Sequence, residues 1–230
     1  LVKARGIGVF TSPPGNGKTF IIRAFAQGLN KNLYNMSYIC LATVSIAEFY
    51  KQLCDLLGVP ARGGKPRMFK AIQEQIWYLY KEKGAPLILV VDEAQYLNTA
   101  ILNDLKMLMN YEFDSLNCFT LVLCGESHLV NTLRKPVHEA LRQRVSVHYE
   151  FQGLSDGEVP AYVRHKIRSA GASDQIINEA ALSALNSMSQ NNPRVIDNIM
   201  TDALTIGAQK DRSVIDPEVI LSAVNNQNLG

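Results

Sequence analysis

Eight residues constrain this chain more than any others: Ser12-Pro13-Pro14-Gly15-Asn16-Gly17-Lys18-Thr19. They follow a short β-branched run, Ile7 to Thr11, and precede a segment whose apolar residues Ile21, Ala24, Phe25, Gly28 and Leu29 recur at helical spacing. A strand that breaks into a glycine-rich turn and restarts as a helix ending in Gly-Lys-Thr has the layout of a phosphate-binding loop. Glycines let successive backbone N–H groups turn inward, and the helix N-terminus adds the positive end of its dipole. Lys18 would neutralise the β and γ phosphates, and the Thr19 hydroxyl would ligate magnesium. The contact set is then Pro14, Gly15, Asn16, Gly17, Lys18, Thr19 and Phe20. The full pattern asks for glycine at position 12, where this chain has serine. A plain Gly-Pro turn with an exposed lysine is the competing interpretation.

A second feature favours the phosphate loop. Pro86 precedes Leu87-Ile88-Leu89-Val90-Val91, a continuous apolar run of the kind found in a strand buried on both faces, and the run ends in Asp92-Glu93. Acidic residues at the C-terminal end of a buried parallel strand stand where such sheets place their chemistry. Asp92 would hold the water shell of a magnesium ion, and Glu93 would polarise the water attacking a γ phosphate. A nucleotide switch that only binds could dispense with Glu93, so its presence favours slow hydrolysis.

Helical and extended patterns alternate over the first 150 residues. Ser37–Ala42 reads as a strand, and Ser45 with Glu48 makes a capping box before a helix carrying Ile46, Phe49, Tyr50 and Leu53 on one face. Phe69, Ile72, Ile76, Leu79 and Tyr80 form another helical stripe, Thr99–Asn110 a further helix, and Phe119–Cys124 and Val145–Phe151 two more strands. After Gly153 four helical segments follow, starting near Ser155, Asp174, Pro193 and Asp216, with no strand between them. The expected architecture is a five-stranded parallel sheet flanked by helices over residues 1–153, then a small all-helical lid over 154–230. A chain that opens at Leu1 almost directly on a strand reads as a fragment lacking N-terminal elements.

Composition narrows the class. The first 150 residues hold 17 basic and 12 acidic side chains and the remainder 6 and 9, so a nucleic-acid surface would lie in the first part. The 4 cysteines are scattered and lack metal-ligand spacing, which excludes a disulfide scaffold and points to a reducing cytoplasm. No apolar run reaches the roughly 18 residues of a membrane span.

The phosphate loop, the Val-Val-Asp-Glu-Ala-Gln strand end and the helical tail together resemble an AAA+ ATPase. Within that superfamily the chain is similar to the ExeA-like and TniB/TnsC/MuB-like group of secretion and transposition ATPases, over Gly6 to Leu229. The resemblance implies further roles. Glu126 or Ser127, after the Phe119–Cys124 strand, would sense the γ phosphate. Ala140-Leu141-Arg142-Gln143-Arg144 resembles the segment supplying an arginine finger to a neighbouring subunit, from Arg142 or Arg144. Asn192-Pro193-Arg194 matches the start of the sensor-2 helix, with Arg194 reaching the γ phosphate. Arg62, Lys65, Arg67 and Lys70 would follow a DNA backbone, unless they belong to a merely solvated basic loop. The implied function is an ATP-dependent regulator of transposition that forms homo-oligomers on duplex DNA and recruits a transposase. The alternatives are a secretion accessory ATPase and a non-hydrolysing switch whose output is protein binding.

Overall fold

The computed structural model describes residues 1–40 and 45–227. By density of contacts the chain divides into two units, Leu1–Ser12 with Lys18–Phe151, and Pro13–Gly17 with the chain from Gln152 on.

The first unit is a five-stranded parallel sheet in the order β2-β3-β4-β1-β5. Its strands are β1 (Ile7–Thr11), β2 (Asn35–Cys40), β3 (Leu87–Asp92), β4 (Thr120–Gly125) and β5 (Val145–Glu150). The helices between them are α1 (Lys18–Gly28), α2 (Ile46–Leu57), α3 (Lys65–Lys81), α4 (Thr99–Leu108), α5 (His128–Leu133) and α6 (Glu139–Arg142). All six residues of β3 are buried, and they alternate between two cores: Leu87, Leu89 and Val91 join the larger one, Ile88 and Val90 the smaller. That two-sided burial explains the unbroken apolar run. On the larger side pack Phe49, Tyr50 and Leu53 of α2, Ile72 and Ile76 of α3, and Leu102 and Leu105 of α4. The capping box of Ser45 with Glu48 is formed at the start of α2. β5, at the sheet edge, is almost wholly exposed.

Three expectations need correction or trimming. The strand expected over 37–42 begins earlier, at Asn35, and residues 41 and 42 lie outside the described residues. On α1 the side chains turned to the sheet are Lys18 and Ile22, one turn apart, whereas Phe25 of the anticipated stripe is 41% exposed. Ile21 and Phe25, with Ile22, line an open apolar cavity of about 230 Å³ whose other wall includes Phe10, Val90 and Val122 of the sheet. The helical segment expected from Asp174 is a short 3-10 turn, Asp174–Ile176, capped by the Ser173 hydroxyl accepting the Gln175 N–H at 3.3 Å, and the α-helix follows from Glu179, where Asn178 accepts the Ala181 N–H at 2.8 Å.

The second unit holds α7 (Glu158–Ser169), α8 (Glu179–Ser189), α9 (Pro193–Gln209) and α10 (Pro217–Gln227) around Val159, Val163, Leu185, Ile196, Ile199 and Ile220. α7 begins a turn after Ser155, whose hydroxyl donates to the Glu158 carboxylate at 2.8 Å. α10 starts as expected, with Asp216 accepting the Val219 N–H at 3.0 Å before Pro217. Among the described residues no helix is long and apolar enough to cross a membrane.

Candidate active site

Parallel pairing sets the C-terminal ends of β1, β3 and β4 side by side. Ser12, where the phosphate-loop pattern has glycine, is fully buried, and its N–H donates to the Gly125 carbonyl at 3.2 Å. Its own carbonyl accepts from the Lys18 ammonium at 3.1 Å. Lys18, the first residue of α1, is 8% exposed, so its charge is stored over the loop's first residue. A carbonyl partner of this kind can be exchanged for phosphate oxygens, which satisfy the ammonium more strongly.

Asp92 is 1% exposed and takes three donors. Its Oδ2 accepts the Tyr38 hydroxyl at 2.7 Å and the Thr19 hydroxyl at 3.2 Å, and its Oδ1 accepts the Glu93 N–H at 2.9 Å. Burial pushes the Tyr38 phenol above its ordinary value, and the bond to Asp92 pushes it the same way, so it stays protonated and donating. The Thr19 hydroxyl and the Asp92 carboxylate form a set of hard oxygen ligands within hydrogen-bond reach of each other, which suits magnesium.

Glu93 occupies the left-handed region, at φ 54°, a conformation that costs a non-glycine residue about 1 kcal/mol. It opens the 3-10 turn Ala94–Tyr96, which returns the chain so that Gln95 meets it. The Gln95 amide donates to Glu93 Oε2 at 2.6 Å, and its carbonyl oxygen accepts the Glu126 N–H at 3.1 Å. Tyr38 and Gln95 were missed by sequence reasoning. For Tyr38 the sequence carries no signal: its reach to Asp92 follows from the β2–β3 register, in which Cys40, two residues on, pairs with Asp92. For Gln95 the signal is an amide two residues beyond a candidate catalytic carboxylate.

The middle of the loop belongs to the second unit. Gly15 and Gly17 adopt φ of 87° and 91°, which side chains rarely tolerate. Asn192 donates its amide to the Pro14 carbonyl at 2.8 Å, and the Arg194 N–H donates to the Gly15 carbonyl at 3.3 Å. A Cβ on Gly15 would stand 2.6 Å from Asn192 Oδ1 and 2.9 Å from Arg194 Cβ. Asn16 is buried, while Pro14 and Phe20 are exposed.

Other expected residues have partners of their own. The Glu126 carboxylate lies 3.3 Å from His128 Nδ1, and the Ser127 hydroxyl donates to Glu150 at 3.1 Å; what joins this segment to Glu93 is the backbone N–H of residue 126. The Arg142 guanidinium donates to the Arg134 carbonyl at 2.9 Å. That of Arg144 donates to Asn110 Oδ1 at 2.7 Å and the Lys106 carbonyl at 3.2 Å, where it caps the end of α4. In the basic stretch Lys65 pairs with Asp104 at 2.7 Å and Lys70 lies 3.8 Å from Glu74, while Arg62 and Arg67 are exposed.

Residues 2–133 match the family described as AAA domain. General secretion pathway protein A of Aeromonas hydrophila is 29% identical over 221 residues, 95% of this chain and 40% of that protein. Among solved structures, Cdc6p from Pyrobaculum aerophilum superposes with a TM-score of 0.69 at 18% identity, over 97% of this chain and 61% of its own. The ADP form of Aeropyrum pernix ORC2 gives 0.67 at 14% identity, over 96% and 62%. The Thermotoga maritima RuvB Holliday junction branch migration motor gives 0.62 at 16%, over 99% and 63%. These likenesses concern the fold, and the chain spans only part of each relative's length.

Proposed function

The chain belongs to the AAA domain family, and we propose that it binds ATP with magnesium and hydrolyses it to ADP and phosphate. The observation that carries this is the hydrogen bond between Thr19 and Asp92, 3.2 Å long, beside a buried Lys18 whose ammonium is held by the Ser12 carbonyl. Lys18 leaves the Ser12 carbonyl for the β and γ phosphates, and the backbone of the loop through Gly15 and Gly17 takes up the rest. Thr19 ligates the ion and Asp92 its water shell; bound magnesium would spread the negative charge developing on the phosphoryl oxygens. Glu93 orients and deprotonates the attacking water. Arg194, whose N–H already rests on Gly15, contributes its guanidinium to the γ phosphate, and Glu126 or Ser127 reports on that phosphate.

Turnover by an isolated subunit is slow in this scheme, because the finger, Arg142 or Arg144, acts on a neighbour in an ATP-dependent homo-oligomer. Such a finger contributes about 10³- to 10⁵-fold in rate. Both guanidiniums must leave main-chain carbonyls to do so.

Two outputs rest on different observations. The relative from Aeromonas hydrophila supports a secretion-linked ATPase. The other output is a duplex-DNA regulator of transposition that recruits a transposase; its DNA contact alone is favoured by the exposure of Arg62 and Arg67. With Lys65 and Lys70 drawn to Asp104 and Glu74, the phosphate contacts fall from four to two, and the log–log salt slope from about −3.6 to about −1.8. Two measurements separate the outputs, DNA binding as a function of salt and ATP turnover with and without duplex DNA: binding with that slope and stimulated turnover support transposition, and indifference to DNA supports secretion. For the chemistry itself, Lys18→Ala abolishes nucleotide binding while Glu93→Gln keeps binding and stops hydrolysis. Wild-type turnover by Glu93→Gln removes Glu93 from its role.

A further inference from the structure

We propose that Gln95 is a positioning residue for the hydrolytic reaction, holding the Glu93 carboxylate and linking it to the end of β4; the assignment rests on the hydrolysis proposed above. Chemistry fixes which way round the amide lies. A carboxylate offers only lone pairs and a backbone N–H only a proton, so the Gln95 NH₂ faces Glu93 and its oxygen faces Glu126. Gln95 is 8% exposed and satisfied at both ends, with the bond to Glu93 at the short distance of a charge-assisted contact. No other residue type of that length donates to a carboxylate and accepts from an N–H at once.

The surroundings leave the amide little room. A Cβ on Gly125 would stand 2.5 Å from Gln95 Oε1 and 3.4 Å from its backbone nitrogen, so the last residue of β4 has to be glycine for Gln95 to reach past it. The turn that returns Gln95 to Glu93 depends on the left-handed conformation of Glu93 and on the Tyr96 N–H, which donates to the Glu93 carbonyl at 3.0 Å. Strain at a candidate catalytic residue is thus compensated by a contact with that residue's own side chain.

Two consequences follow for the reaction. A glutamate side chain is long and free to rotate; holding Oε2 restricts it and leaves Oε1 to accept the proton of the attacking water. The second bond runs to the N–H of residue 126, in the segment proposed to sense the γ phosphate. Movement of that segment is passed through one rigid amide to the base, so occupancy of the phosphate site and readiness of Glu93 become linked.

The test is steady-state ATP turnover, with nucleotide affinity measured separately, for Gln95→Glu and Gln95→Met beside Glu93→Gln. Gln95→Glu is isosteric and keeps an acceptor for the Glu126 N–H, but sets like charge against Glu93; Gln95→Met removes both bonds at similar length. Both should lower kcat about tenfold or more, the glutamate variant further, with the nucleotide Kd within about twofold of wild type. Turnover within about twofold of wild type in both variants, with Glu93→Gln inactive, overturns the role of Gln95 and leaves the hydrolysis proposal standing. So does a parallel loss of affinity and kcat, the mark of a structural role. Full turnover by Glu93→Gln overturns the hydrolysis proposal itself.

Discussion

Asn192 does two jobs with one side chain, and removing it separates them. Its carbonyl oxygen accepts the N–H groups of Arg194 at 3.0 Å and Val195 at 3.4 Å, capping α9, while its amide holds the Pro14 carbonyl at 2.8 Å. Loss of an asparagine cap to alanine costs about 1 kcal/mol, and the half-exposed bond to Pro14 adds about 0.5 kcal/mol. Asn192→Ala should therefore destabilise the helical unit by about 1.5 kcal/mol, which for a chain of this size is a fall of about 3–6 °C in Tm. Glycine retains most of the capping preference and loses only a few tenths there, so Asn192→Gly should cost under about 1 kcal/mol. Asn192→Asp caps as well as asparagine but presents an oxygen to the Pro14 carbonyl, and should lose only the loop bond.

The assay is thermal unfolding of the whole chain by far-ultraviolet circular dichroism, with nucleotide affinity measured alongside. The expected order of loss is alanine, then glycine, then aspartate. Affinity should fall in the glycine variant too, because the loop has lost its anchor while the helix remains. Equal melting temperatures in the alanine and wild-type proteins would refute the cap. Unchanged affinity in the glycine variant would remove Asn192 from any part in holding the loop.

Two further outcomes follow from burial. Phe119, fully buried at the entry to β4, should cost about 3–5 kcal/mol on replacement by alanine, read as a lower urea midpoint at constant slope; a loss below 1 kcal/mol would mean the site collapses around the missing ring. His138 is 1% exposed, and burial, assisted by Lys135, holds its imidazole below the ordinary 6.5. A depressed histidine pKa means the fold favours the neutral form, so its stabilising contribution is complete above pH 6.5 and is lost as pH falls from there through the folded-state value. His138→Gln should flatten the decline of stability below pH 6.5, and identical pH dependence in the two proteins would exclude His138 as its source.

What could be read from the sequence was what is local or repeats with a period. The phosphate loop is contiguous, and β3 declares itself because both its faces are buried, so no polar residue interrupts it. Periodicity located α1 but not its most buried side chains: Lys18 and Ile22 are buried, while Ile21 and Phe25 of the stripe only line an open cavity beside the sheet. Nothing in residue spacing says which of two adjacent faces a sheet will cover. Tyr38 and Asp92 are 54 positions apart, and Asn192 and Pro14 are 178 apart; contacts of that range depend on register and packing, which no single sequence displays. Asn192 was legible only as the residue before Pro193-Arg194, although its side chain both caps the helix and holds the loop.

The neighbouring carboxylates Asp92 and Glu93 show how one strand end can support two kinds of chemistry. Asp92 is buried under two hydroxyls and an N–H, donors that fix its carboxylate in one orientation and suit it to a fixed role beside an ion. Glu93, one residue on, is turned out of the strand by its left-handed backbone and, among the described residues, is held by the Gln95 amide. It keeps lone pairs to spare, as a base that must accept a proton and give it back requires. The backbone N–H of Glu93 is itself one of the three donors on Asp92, so the conformation that frees the second carboxylate also helps to fix the first. A β-branched residue at position 93 would be strained in that conformation, and a glycine there would leave Gln95 nothing to hold.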